Sequence, residues 1–140
     1  MMMNLLKLSF LFIVIFLLGS CQKELEDVNE PIQVSEKILY EGKFVGTSRY
    51  NTTGDIKIVL INEKVKLQFI NFKTDAGPDL KIYASSDTKA SSFTVLSNEV
   101  KNGTYTIDLE NIDFIKAQPN ILIWCKQFSV LFGNAALTKK

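Results

Sequence analysis

The sequence predicts an all-β domain: a single antiparallel β-sandwich, jelly-roll-like, of about eight short strands. Three observations carry this. Apolar and polar residues alternate with a period of two in segment after segment from Lys37 onward. Clusters of Gly, Pro, Asn, Asp and Ser punctuate those segments at short intervals. Only Leu109 to Lys116 has room for a helical turn.

The strands follow in order. Phe44 to Arg49 is short and β-prone. In Asp55 to Ile61, alternation places Ile56, Ile58 and Leu60 on one face. Asn62-Glu63-Lys64 reads as a turn, and Val65, Leu67 and Phe69 then alternate with Lys66, Gln68 and Ile70, so the two runs form a hairpin. Leu80, Ile82 and Ala84 alternate with Lys81 and Tyr83, and Phe93 to Leu96 and Tyr105 to Leu109 continue the pattern. Ile121 to Cys125 is apolar throughout, as in a strand covered on both sides. Phe128, Val130 and Phe132 make a last alternating strand, with a bulge or corner near Lys126 and Gln127 where the apolar parity switches. Asn51 to Gly54, Asp75 to Pro78, Ser85 to Ser92 and Asn102-Gly103 are the turns and loops between them.

Residues 1–20 are of another kind. Lys7 is their one charge, Leu8 to Leu18 is apolar except for Ser9, and the small residues Gly19 and Ser20 precede Cys21. A basic start, a short apolar run and small residues before a cut site make a secretory signal peptide. Eleven helical residues rise about 16 Å, half of a hydrocarbon core of roughly 30 Å, which argues against a permanent span. Leu18-Gly19-Ser20-Cys21 resembles the bacterial lipobox. That resemblance implies cleavage before Cys21, diacylglycerol on its thiol and a fatty acyl group such as palmitate on its new amine. Two or more chains anchor stably, at about 0.8 kcal/mol per buried methylene.

Residues 21–36 then form a flexible lipidated tether. Glu24, Glu26, Asp27, Glu30 and Glu36 stand against Lys23 alone, with a Pro and few large apolar residues. Gln22-Lys23-Glu24 is similar to the export signal of surface lipoproteins in Bacteroidetes-type bacteria, although a charged linker explains it equally well. Gln22 is not the Asp that marks inner-membrane retention in enteric bacteria, so the expected location is the outer membrane, on its periplasmic or cell-surface face. Residues 37–140 form the single folded domain.

Composition excludes several chemistries. The whole chain carries a net charge of +1, and loss of Lys7 with the signal leaves the mature chain neutral, without the basic excess that nucleic acid requires. There is no His, and Met1 to Met3 all fall in the signal. Zinc sites built from Cys and His, blue-copper sites and Ser–His–Asp or Cys–His catalytic arrangements are therefore excluded. With Cys21 lipidated, Cys125 is the one free thiol and has no partner for an intramolecular disulfide. Asp75 and Asp79 flank a Gly-Pro turn, with too few other oxygen ligands to fill a calcium shell. No acid–base pair stands out, so catalysis in the usual sense is not expected.

Two segments carry a further resemblance: Asn71 to Ala84, which contains Gly77-Pro78-Asp79-Leu80, and Ile121 to Leu137, which contains Trp124-Cys125-Lys126 and Phe128-Ser129-Val130 before Phe132-Gly133. With Gly42-Lys43-Phe44 and the Thr53-Gly54 hairpin they resemble the DM-thirteen, or "electron transfer DM", domain family across Gly42 to Leu137. The resemblance implies a β-rich domain and a redox role through its signature Cys, here Cys125, as a bare thiol or as a haem ligand, with a redox protein acting in trans. The residues themselves leave the choice open. Cys125 shares parity with Ile121 and Ile123, an apolar face, as a structural core cysteine would. Lys126 points to the opposite face, and a haem would have to use Cys125 alone or with Tyr or Lys. Trp124 shares parity with Leu122 and reads as a packing residue. Two functions follow: a lipid-anchored redox accessory domain working through Cys125, or a non-catalytic surface module binding glycan or protein, with Cys125 inert.

Overall fold

The computed structural model describes residues 35–140. The expected signal peptide, Cys21 and the expected tether up to residue 34 lie outside that range. Ten strands follow in order: β1 (Glu36–Lys43), β2 (Val45–Gly46), β3 (Thr52–Ile61), β4 (Lys64–Thr74), β5 (Leu80–Ser85), β6 (Phe93–Ser97), β7 (Gly103–Leu109), β8 (Asn120–Cys125), β9 (Val130–Ala136) and β10 (Thr138–Lys139). They form two antiparallel five-stranded sheets, ordered β10-β1-β3-β4-β7 and β2-β9-β8-β5-β6, packed as a sandwich. A 3-10 turn at Asp113–Lys116 is the one helical element among the described residues, within the segment the sequence left open to a helix.

Where the pattern departs from simple alternation, bulges are the reason. The eight-residue β1 is hidden in the sequence because its register against β3 shifts between Ile38 and Tyr40, so Leu39 and Tyr40 both pack against the core. In β3, Ile56 and Ile58 face inward as expected, but Leu60 is only half-buried while Val59 is fully buried. In β4 the register shifts after Phe69, where Asn71 takes a left-handed φ of 48°, and this turns Phe72 inward as well. Gly54 sits opposite with φ of 119°, and a Cβ there would come within 2.7 Å of the Phe72 backbone, so only glycine fits. Phe128 is a correction: β9 begins at Val130, and Phe128 lies exposed in the turn before it.

The core is built from both inner faces. Ile56, Ile58, Leu67, Phe69 and Phe72 of the first sheet meet Ile82, Ala84, Ile121, Ile123 and Phe132 of the second. Phe69 stands at its centre, 5.1 Å from Phe72 in an edge contact and 4.6 Å from Tyr105 in a stack. Each such fully buried ring contributes roughly 1.5–3 kcal/mol relative to exposure.

Candidate functional site

Cys125 is the last residue of β8, with no exposed surface. Alternation along β8 sets its side chain inward beside Ile121 and Ile123, as its parity predicts. Its ladder partners are Leu80, the first residue of β5, and Val130, the first residue of β9. The thiol is therefore closed in, yet it sits on the terminal rung of three adjacent strands. Lys126 is exposed, and its backbone N–H donates to the Asp79 carbonyl at 2.9 Å, which ties the β8 end to the Gly-Pro-Asp segment.

The residues of the two sequence segments converge at this end of the sandwich. Gly77 lies against the side chains of Leu80 and Phe132. Phe132 in turn stacks on Tyr50 with 3.8 Å between ring centroids. Gly133 allows the sheets to approach: a Cβ there would lie 2.4 Å from the Thr52 side chain. Thr52 donates from Oγ1 to the Phe132 carbonyl at 3.0 Å, so its oxygen accepts from the Thr74 hydroxyl at 2.9 Å. The buried Thr52–Phe132 bond stitches β3 of one sheet to β9 of the other.

The sequence placed Thr52 in a loop. Its burial comes from strands distant in the chain, and no local pattern announces it. The two carboxylates beside the turn each have a structural partner. Asp75 accepts the Asn51 N–H at 2.7 Å, and Asp79 pairs with Lys81 at 2.8 Å.

A cleft of about 510 Å³ opens beside this region, lined by residues 74–80 and 98–102. Leu80 is shared between the cleft wall and the surroundings of Cys125. Cys125 itself does not line this cleft. A haem does not fit this arrangement: its iron must reach the sulfur, and Cys125 has no exposed surface and belongs to the packed core cluster, where a porphyrin has no room without unpacking it. What the site can do is hold one thiol out of water and release it when the terminal rung opens. A family model described as Electron transfer DM13 matches residues 43–137. No curated protein and no solved structure matches the chain.

Proposed function

Because the chain belongs to the Electron transfer DM13 family, we propose that it is an accessory domain of an electron-transfer system, held to the outer membrane through lipid on Cys21, with Cys125 as its working thiol. The position of Cys125 carries this reading: buried, but on the last rung of β5, β8 and β9. Strand ends open at lower free energy than strand centres. When the Leu80–Cys125–Val130 rung parts, the sulfur meets solvent, where it can act as a thiolate nucleophile. The thiolate then attacks a disulfide of a redox protein in trans, forming a mixed disulfide as that protein's second sulfur leaves as thiolate. Another partner thiolate attacks the mixed disulfide and returns Cys125 as thiolate, so an electron pair has passed between the partner sulfurs. The resting burial keeps the thiol from other oxidants.

Lipid anchoring supplies the location. Cys21→Ser should leave an uncut precursor or a released soluble chain, whereas the wild-type chain enters the detergent phase of a phase separation. Wild-type protein in the aqueous phase would remove the anchor. Cys125→Ala should abolish the electron-transfer phenotype while the chain remains folded and anchored; an unchanged phenotype would remove the thiol's role. A second reading is favoured by one observation: Cys125 sits in the same fully buried layer as Ile121 and Ile123. In that reading the domain is a surface interaction module and the sulfur only fills space.

A further inference from the structure

We propose that Asn102 and Gly103 form a self-modification site, at which the folded chain exchanges the Asn102 side-chain amide for a carboxylate. This goes beyond the proposed function and needs neither the anchor nor the thiol. Asn102-Gly103 is the one place in the chain where glycine follows asparagine. Asn102 ends the loop before β7, and Gly103 is that strand's first residue. Both are exposed. Gly103 has φ of 112°, and a Cβ built on it would meet no atom within 4 Å. Its backbone nitrogen is flanked by no side chain and is free to turn. Asn51, Asn71, Asn120 and Asn134, by contrast, are followed by the buried side chains of Thr52, Phe72, Ile121 and Ala135, which fix the backbone there.

The Asn102 amide is held as an electrophile. Its Oδ1 accepts the Thr74 N–H at 2.9 Å, which polarises the carbonyl and meets the negative charge that builds on the oxygen during attack. Its Nδ2 donates to the Thr74 carbonyl at 3.4 Å, a long bond that holds the departing nitrogen loosely. Hydroxide takes the proton of the Gly103 N–H, and the nitrogen attacks Cγ of Asn102 to close a cyclic imide. The Cγ–Nδ2 bond breaks, and Nδ2 takes a proton back from water and leaves as ammonia. A second water opens the imide at either carbonyl, giving aspartate or its β-linked isomer, with no change of oxidation state. The product undoes a clasp. The two amide bonds tie the loop of residues 98–102 to Thr74, the last residue of β4, and both segments line the cleft of about 510 Å³. A carboxylate keeps the acceptor but loses the donor, and sets an oxygen against the Thr74 carbonyl. Its charge joins Asp75, Asp79 and Glu99 in the cleft wall, where Lys101 is already paired with Glu99 at 3.5 Å. The exchange therefore loosens one wall of the cleft, at a rate set by the chain itself.

The full chain is incubated in mildly alkaline heavy-oxygen water, returned to ordinary water, digested and mapped by mass spectrometry. Asn102 should take up heavy oxygen ahead of the other asparagines, faster as pH rises, at a rate that low urea leaves unchanged. Asn102→Gln, whose longer side chain closes the ring poorly, should leave the site unlabelled. Asn102→Asp, which carries the product from the start, should have a lower urea midpoint than the wild type. An Asn102 that stays unlabelled in the folded chain and converts only through the unfolding transition would show that the clasp protects the amide, and would overturn the proposal. Labelling at Asn102 with an unchanged midpoint in Asn102→Asp would overturn the loosening of the cleft.

Discussion

Replacing Cys125 by alanine removes one sulfur from the closed core, which should cost on the order of 1–2 kcal/mol through a small cavity. Cys125→Ser keeps the shape but leaves a hydroxyl among side chains that offer it no partner, adding roughly 1–3 kcal/mol. Urea midpoints should therefore fall in both variants, and further for serine; equal midpoints in both and in the wild type would mean the core is not closed there. Thr52 is the sharper case. Thr52→Val deletes the donor to the Phe132 carbonyl and strands the Thr74 hydroxyl, and should destabilise by about 1–3 kcal/mol. An unchanged midpoint would show that the inter-sheet stitch contributes nothing. The sequence offered Cys125 by its rarity and its parity, but it could not offer Thr52, because a threonine in a polar run looks the same whether solvent or another sheet lies above it.

At the scale of the element, the β3–β4 hairpin turns on Asn62 and Glu63, with φ of 49° and 65°. Two consecutive left-handed residues are the mark of the tightest hairpin turn, and Glu is poorly suited to the second position. Glu63→Gly should raise stability by roughly 0.5–1 kcal/mol, read as a higher thermal midpoint; a lower midpoint would contradict the turn geometry. This hairpin was legible because both of its strands keep their alternation through Ile56, Ile58, Leu67 and Phe69, and the turn residues stand between them. Strand β1 was not, since the irregularity at Leu39 puts adjacent residues on the core side and erases the period of two. Phe128 misled for the opposite reason: its spacing from Val130 continues the alternation, but the chain turns at Lys126 to Ser129, where Ser129 adopts φ of 51°. The assignment of strands to sheets could not be read at all, because β2 and β1 are consecutive in the chain yet belong to different layers.

For the whole molecule, four groups among the described residues shift away from their ordinary values and shape how stability responds to pH. The hydrogen bond and charge of Lys66 hold Asp108 below the usual carboxylate range, and hydrogen bonds from Ser91 and Lys89 do the same for Asp87. A depressed carboxylate stabilises the fold above its unfolded pKa, and that contribution is lost as pH falls through the folded value. Burial holds Tyr105 above the usual phenol range, and burial with the nearby Asp79 carboxylate does so for Tyr83. A raised tyrosine contributes fully below its unfolded pKa and loses that contribution as pH climbs through the folded one. The thermal midpoint should thus be flat from about pH 5 to about pH 9, and decline below about 4 and above about 10. Asp87→Asn with Asp108→Asn should soften the acid decline; a decline unaltered in the double variant would place its cause elsewhere.

The closed thiol on an opening rung is tested most directly by alkylating Cys125 in the full chain across low urea concentrations, with the labelled residue identified by mass spectrometry. Local opening of the Leu80–Cys125–Val130 rung predicts slow labelling that outpaces global unfolding and is nearly independent of urea until the unfolding transition. Leu80→Ala should speed it more than it lowers the urea midpoint. Labelling that rises with urea from the outset, with the slope of global unfolding, would mean that the sulfur is reached only in the unfolded chain, and would contradict a working thiol.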